Sequence, residues 1–268
     1  MVVYDNINNY DNYRNIYHRF NEVVESRTKY TIQINFGKKK VILNNSNNDE
    51  IETNILNLIS KVKKDTENFL SGVEVNTEII SNDIYWYVFN HEIEDSIENF
   101  EVAKIDLTSA YWTKALNLGI ITKQTNEYFN SINFKNVSEK KKARLKAFGS
   151  LATIKSVNFF EKGVKNWDRE TLKVNDKFRA VYLYVCDCVA KDMLAVLGSV
   201  GGYYYYWDCL FVDLDKITTV AKIFKNLGYN FTVEKEIANI FLDEEISYFE
   251  CTKTDKNGKI KIIKYPIN

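Results

Sequence analysis

Proline is almost absent from this chain, and that scarcity sets the strongest limit on how the chain can fold. The only proline among 268 residues is Pro266. Because proline removes a backbone donor and breaks the interiors of helices and strands, residues 1–265 are free to form long regular elements, and a proline-rich linker is excluded. Hydrophobic residues make up 45% of the chain and charged residues 27%, the balance of a globular protein, and the length suits one large domain or one core with a small attachment.

The charges cancel overall but are unevenly distributed. Lys and Arg together number 36, as do Asp and Glu. Residues 104–165 alone carry 12 basic and 4 acidic side chains, a net charge of +8. Overall neutrality argues against a histone-like DNA-binding protein, whereas the basic block permits a phosphate-facing surface. A lysine-rich helix face in contact with solvent explains the same block and stays open as an alternative.

Cysteine content and hydropathy indicate the compartment. Four cysteines are too few for a disulfide framework in a chain of this size, so we expect free thiols in a reducing cytoplasm. Residues 1–6 lack the basic and apolar regions of a signal peptide. The longest uncharged run, residues 193–207, contains three glycines and four tyrosines and is too short and too polar to span a membrane. We therefore predict a cytoplasmic protein without membrane contact.

Hydrophobic periodicity predicts an α+β fold. Strand candidates precede a helical block, and a strand, a helix and hairpins follow it, which favours an antiparallel sheet with helices packed on one face. The predicted helices are 1–28, a helix with its apolar face at 51–62 and its cap at Asn48 or Asp49, 109–118, 123–132, 138–162, 175–197 and 215–227. The predicted strands are 29–36, 41–43, 83–89, 100–107, 203–213, 229–233, 237–242, 246–253 and 259–264, with an Asn257-Gly258 turn before the last.

Most standard catalytic signatures are missing. The chain contains no GxxxxGK[ST] sequence, so a P-loop nucleotidase is not expected. His91-Glu92 is not followed by a second histidine at the spacing of a zinc protease. The glycine-rich run 198–202 precedes a strand, whereas a phosphate-binding loop precedes a helix. No Ser/His or Cys/His pair is indicated.

Two aspartates in apolar strand settings remain. Asp106 ends a predicted strand immediately before a helix, and Asp208 lies inside the apolar segment 206–211. A charge in such a setting is costly unless a partner compensates it, and divalent cations prefer carboxylate oxygens. If the two strands are neighbours, both carboxylates could bridge a pair of metal ions. Two simpler interpretations stay open: Asp106 or Ser109 is a helix N-cap, and Asp208 lies on an exposed sheet face.

The order and form of these segments resemble the palm core of family B DNA polymerases, especially the compact protein-primed type. The family's first motif has the form D-x-x-S-L-Y-P. Asp106, Ser109 and Tyr111 match it, whereas Ala110 and Trp112 depart from it.

The family's second motif has the form K-x-x-x-N-S-x-Y-G and lies on a basic helix. Lys141 and Gly149 match it, and Phe148 stands for the tyrosine. Leu145 and Lys146 replace the Asn-Ser pair. The short interval between the first and second motifs implies a reduced fingers insertion.

Two further motifs follow in the family's order. The third has the form Y-x-D-T-D-S, and Asp208 matches its second aspartate, with Tyr206 at the first and Cys209 at the serine. The fourth is a basic K-K-x-Y hairpin that touches the primer. Tyr248 fits its tyrosine, but the lysine positions hold acidic residues at 244–245.

The resemblance implies a two-metal nucleotidyl transfer in which Asp106 and Asp208 are catalytic and hold Mg²⁺ or Mn²⁺. Nucleoside triphosphates and a primer-template or single-stranded DNA are the implied partners. The implied substrate-binding residues are Ser109, Tyr111, Lys141, Lys142, Arg144, Phe148 and Gly149. The residues expected to bind nucleic acid are Lys135, Lys140, Lys146 and Tyr248.

We therefore expect a minimal palm-type nucleotidyltransferase. Residues 100–268 would form a palm-like core with short helical fingers at about 113–200 and C-terminal β-hairpins, and residues 1–99 would form an N-terminal region of unassigned role. Size and AT-rich codon usage point to a phage or mobile element, hence to the host cytoplasm. Two alternatives stay open: a catalytically degenerate palm that binds nucleic acid or serves as a structural component of a phage particle or replication complex, and an α+β protein with no nucleic-acid role.

Overall fold

A computed structural model of the chain describes residues 2–28, 31–44, 50–75, 84–173, 175–243, 246–254 and 260–267. The fold is α+β, as predicted, with two sheets among these residues. In chain order the strands are β1 (Val2–Asn6), β2 (Glu22–Arg27), β3 (Thr31–Phe36), β4 (Lys39–Asn44), β5 (Tyr87–Phe89), β6 (Ile97–Thr108), β7 (Lys155–Glu161), β8 (Val164–Lys173), β9 (Tyr204–Tyr206), β10 (Cys209–Val212), β11 (Asn230–Phe241), β12 (Tyr248–Thr254) and β13 (Ile260–Pro266). The helices are α1 (Tyr10–Arg14), α2 (Glu50–Gly72), α3 (Ala110–Asn117), α4 (Lys123–Ser131), α5 (Val137–Gly149), α6 (Asp176–Val200) and α7 (Ile217–Asn226).

The chain divides into two compact units, each built from two separate stretches. One unit contains Met1–Thr77 and Ile121–Tyr182, and the other contains Glu78–Ile120 and Leu183–Asn268. Residues 84–99, which the sequence analysis assigned to an N-terminal region, are grouped by their contacts with the second unit.

The first unit is organised around a six-stranded sheet in the order β1-β4-β3-β2-β7-β8. Its pairs are antiparallel except for β1 with β4, which is parallel. The hairpin predicted from alternation is confirmed: Ile32, Ile34 and Phe36 are buried, and Gly37 turns the chain at a φ of +59°.

A buried carboxylate lies on the same face as this apolar row. Glu25 accepts hydrogen bonds of 2.8 Å from the hydroxyl of Tyr10 and of 2.8 Å from the hydroxyl of Tyr17, and it also pairs with Arg27. These three donors compensate the loss of hydration that burial imposes on the charge.

Two helix predictions in this unit are wrong. Residues 1–28 contain strands β1 and β2 with only a short α1 between them, and the helix predicted over 138–162 ends at Gly149. Each misassigned strand has a partner distant in sequence, since β2 lies between β3 and β7. Ladder hydrogen bonds to distant strands therefore override the local pattern.

The second unit contains a seven-stranded sheet in the order β13-β12-β11-β6-β10-β9-β5, antiparallel throughout. The prediction of a single strand over 203–213 is wrong in one respect. This segment forms two strands, β9 and β10, joined by a turn at Trp207 and Asp208. The two strands predicted over 229–242 are the single twelve-residue β11.

This sheet curls over one of its faces. The ring centroid of Tyr265 on β13 lies 5.3 Å from that of Phe211 on β10 and 5.1 Å from that of Tyr206 on β9, although β12, β11 and β6 separate β13 from β10 in the sheet. Side chains across the width of the sheet thus share one aromatic core on its concave face. Val102, Lys104 and Asp106 alternate onto that face, whereas Ile105 and Leu107 are buried on the other.

No helix within the described part of the chain is long and apolar enough to cross a membrane. The helix caps predicted at Asn48 or Asp49, the Asn257-Gly258 turn and the acidic pair Glu244-Glu245 lie outside the described residues.

Candidate active site

The two predicted aspartates are close along the backbone of the second unit's sheet: Asp106 lies on β6, and Asp208 lies in the turn immediately before β10. Cys209 on β10 is the register partner of Asp106 on β6. The backbone N–H of Leu107 donates a hydrogen bond of 2.8 Å to the carbonyl oxygen of Asp208. Residues separated by about a hundred positions in the chain are therefore fixed side by side by the sheet ladder. Asp106 is exposed and Asp208 is half-buried, so solvent reaches both.

Backbone strain accompanies both aspartates. Four non-glycine residues in the described part of the chain have positive φ, and two of them are Ser109 at 60° and Trp207 at 57°. Ser109 follows Asp106 by three positions, and Trp207 immediately precedes Asp208. Such conformations are costly for residues with a Cβ and concentrate at functional sites.

The helix-cap interpretation of these residues is only partly met. Ser109 occupies the N-cap position of α3, but its side chain makes no capping hydrogen bond. Asp106 lies inside β6 and caps nothing. The strained serine therefore does not bring the stabilisation that a capping side chain normally contributes.

Both aspartates act on the pKa of one buried thiol, that of Cys209. Burial raises the pKa of Cys209 well above its usual value, and Asp106 and Asp208 raise it further. Burial alone would lower the pKa of Lys104, but the acidic groups around it, Cys209, Glu236 and Asp106 foremost, raise it. The concave face beside Asp106 thus holds a compact set of charged groups.

Lys104 and Glu236 form the buried part of this set. The Lys104 Nζ atom lies 4.0 Å from Glu236 Oε1, and the two side chains are 16% and 1% exposed. Neither Glu236 oxygen accepts a hydrogen bond of normal geometry. The Cys251 thiol, whose pKa burial and Glu236 both raise, borders the carboxylate without meeting that geometry. Sequence reasoning missed this pair; the only local signal is the lysine two positions before Asp106 on the same strand face.

Tyr206 stands where the resemblance has its first aspartate of the third motif, and it is a packing residue. It pairs across the sheet with Tyr87 and Cys209, and its ring meets Tyr265 edge-on at 5.1 Å. The phenol therefore fills part of the aromatic core, and the third carboxylate is replaced by apolar packing.

The predicted triphosphate-binding residues lie on α5 in the first unit. Lys140 and Arg144 lie over the ring of Phe129, at 5.3 Å and 5.5 Å from its centroid, and burial lowers the pKa of Arg144. Phe148 is buried against Tyr182, which agrees with the alternative that α5 is a lysine-rich helix with one face in solvent and the other packed. The remaining predicted residues of this segment are Lys135, Lys141 and Lys142, which are exposed, and Lys146 and Gly149, which are half-buried.

Two predicted tyrosines lie in the second unit. Tyr111 is half-buried in the first turn of α3, two residues after Ser109. Tyr248 packs against Phe241 with a centroid distance of 4.7 Å, and the Lys264 ammonium lies 3.9 Å from the centroid of its ring.

A magnesium site at the aspartate pair would have two protein carboxylates. Within the described residues no group of three or more His, Cys, Asp or Glu side chains is arranged to hold a metal ion. Mg²⁺ is commonly bound by one or two carboxylates together with substrate phosphates, and the donor set of Asp106 and Asp208 suits that mode.

Comparisons with known proteins leave the family of this chain open. No protein-family model matches the sequence, and no curated protein matches it.

Proposed function

We propose that this protein is a minimal palm-type nucleotidyltransferase that resembles a DNA polymerase and acts at Asp106 and Asp208. The observation that supports the proposal is the backbone proximity of these two aspartates: Asp208 immediately precedes the register partner of Asp106, and its carbonyl oxygen accepts a hydrogen bond from the N–H of Leu107. The backbone strain at Ser109 and Trp207 supports it independently.

The two carboxylates would hold Mg²⁺ or Mn²⁺ together with the phosphates of a nucleoside triphosphate. The bound ion would neutralise charge on the reacting phosphoryl group and activate the attacking hydroxyl. The chain's own contribution is orientation, because the sheet ladder fixes both aspartates before any ligand arrives. Lys104, two residues before Asp106 on the same face, keeps a positive charge beside the acidic pair. Ser109 and Tyr111 begin the helix that follows Asp106 and would face the sugar.

The test is incorporation of labelled nucleotide into a primed strand, and into single-stranded DNA, by the full-length protein with Mg²⁺ or Mn²⁺. Asp106→Asn and Asp208→Asn should each lower the rate by several powers of ten, because each removes a charge that holds the ion. Asp215→Asn is the matched control, since its carboxylate lies in the same unit with a side chain that is 73% exposed. Incorporation that persists in either site variant would refute the assignment.

A second candidate function is a catalytically degenerate palm that binds nucleic acid. The packing of Tyr206 into the aromatic core favours it, as does the absence, among the described residues, of three or more side chains arranged to hold a metal ion. This candidate predicts binding without turnover and no change in melting temperature on addition of Mg²⁺. If the basic residues of α5 carry the binding, the affinity should fall steeply with salt concentration.

A further inference from the structure

We propose that Trp86 and Trp207 form a stacking platform for an unpaired base at the end of a nucleic-acid strand, next to Asp208. The proposal rests on the proposed function, because it assigns a position to the strand that the aspartate pair would extend. It concerns residues that neither the motifs nor the resemblance singled out.

The platform is held in place by the backbone. The Trp86 and Trp207 ring centroids lie 4.7 Å apart with planes inclined by 33°. The N–H of Trp207 donates a hydrogen bond of 2.6 Å to the carbonyl oxygen of Trp86. The hydroxyl of Tyr205 donates a hydrogen bond to the carbonyl oxygen of Tyr85. The segment before β5 is thereby attached to the β9–β10 hairpin, and the rings are positioned before a ligand binds.

The platform is also open to solvent. Trp207 is 41% exposed although its backbone N–H is bound to the carbonyl oxygen of Trp86, and the neighbouring Tyr85 is 66% exposed. Packing within the fold therefore uses only part of the aromatic surface. Preorganised, exposed aromatic faces next to one another are the usual means by which proteins bind unpaired bases, because every base has a π face.

The backbone at Trp207 argues that the indole serves more than the fold. Trp207 and Asp208 form a two-residue hairpin turn in which only Trp207 has positive φ, at 57°. This is the pattern of a type II′ turn, whose first position usually holds glycine. A tryptophan there adds backbone strain, and 41% of the residue remains exposed, so packing alone gives an incomplete account of why glycine is absent.

Charge decides which part of a strand the platform would contact. Asp208 is the next residue and Asp106 lies on the adjacent strand, so phosphate groups are repelled from the platform unless a cation intervenes. A neutral base stacked on the rings avoids this repulsion and leaves the sugar hydroxyl at the strand end near the aspartates. We therefore commit to a terminal base as the ligand; an apolar peptide is the competing occupant.

The experiment compares platform variants of the full-length protein in a binding assay without metal. Fluorescence anisotropy measures the affinity for a short labelled single strand, for the same strand ending in an abasic residue, and for a blunt duplex. Trp207→Gly and Trp86→Leu should each weaken single-strand binding at least about fivefold, the lower end of what one stacked base contributes. Trp167→Leu, which removes a 71% exposed tryptophan in the first unit, should leave it unchanged.

The abasic strand tests the terminal base directly. It should bind the wild type more weakly than the intact strand does, and the two strands should bind Trp207→Gly equally. Glycine adopts a positive φ without strain, so Trp207→Gly should melt near the wild-type temperature. If it melts lower, the single-strand affinity of Trp86→Leu is used to test the platform instead. Three results would overturn the proposal. They are equal losses of single-strand affinity in Trp207→Gly and Trp167→Leu, binding of the abasic strand as tight as that of the intact strand, and competition by apolar peptides but not by single strands.

Failure of the platform and failure of the catalytic assignment give different results. If Asp106→Asn abolishes incorporation while Trp207→Gly binds and incorporates normally, the platform is wrong and the catalytic site stands. If the wild type incorporates no nucleotide but Trp207→Gly binds the single strand more weakly than the wild type does, the platform is supported and the catalytic assignment is not.

Discussion

Replacement of Lys104 by methionine tests the charged set on the concave face of the sheet. The change leaves Glu236, whose side chain is 1% exposed, without its cation. Two unit charges at the observed 4.0 Å attract by about 4 kcal/mol at an effective dielectric constant of about 20. Loss of one partner of a buried pair generally costs about 3–5 kcal/mol, because the other charge stays buried. We expect the free energy of unfolding of Lys104→Met to fall by about 3–4 kcal/mol.

Urea denaturation of the wild type and these three variants at neutral pH measures this effect: Lys104→Met, Lys104→Met/Glu236→Leu and Lys253→Met. Lys104→Met/Glu236→Leu should regain most of the loss, because replacing both charges with apolar groups removes the uncompensated carboxylate. Lys253→Met is the control, since it breaks the ion pair with Glu234 on the same sheet, where both side chains are more than 40% exposed, and should cost about 1 kcal/mol or less. A cost below about 1 kcal/mol for Lys104→Met, or no recovery in the double variant, would show that Glu236 does not depend on Lys104.

Three further changes test the packing and the electrostatics of the two units. Glu25→Ala removes the acceptor of three donors in the first sheet and should lower the free energy of unfolding by about 3 kcal/mol or more in urea denaturation; a loss typical of an exposed residue would contradict this. The Tyr13 hydroxyl, which donates to Asp5 over 2.7 Å, lowers the pKa of Asp5, and the pKa of Tyr13 rises to about 12. Asp5→Asn should therefore destabilise the protein fully above about pH 4, the pKa of an unfolded aspartate, and progressively less as the pH falls through the lower folded pKa; a difference that grows in acid would have the wrong sign. Gly202→Ala would place a Cβ 3.0 Å from two side-chain carbons and 3.1 Å from the Phe211 carbonyl oxygen. The melting temperature of this variant should therefore fall in line with a cost of about 1–3 kcal/mol. An unchanged melting temperature would mean that the neighbouring side chains move to make room.

The local pattern of the sequence predicted those elements whose faces are set by their own side chains. The alternation of Ile32, Ile34 and Phe36 marked β3 correctly because burial on one face of a strand repeats every second residue. The apolar stripe of α6 marked a helix for the same kind of reason, with a period of 3.6. The strand that holds Asp106 was predicted to end at residue 107 before a helix, and β6 ends at Thr108, just before α3.

Elements that depend on a distant partner were not predictable in this way. β2 and β7 are strands because they pair with each other, although more than a hundred residues of chain separate them. The turn at Trp207 and Asp208 formed because β9 and β10 pair with each other, although an uninterrupted apolar run looks like one strand.

The order of residues along β6 specifies which side chains alternate and places acidic groups beside apolar ones. Their neighbours in space depend on strand pairing: β6 with β10 brings the backbone of Asp208 beside Asp106, and β6 with β11 brings Glu236 to Lys104. Periodicity is a property of consecutive residues, whereas strand order and the curl of a sheet arise from contacts between residues far apart in the chain.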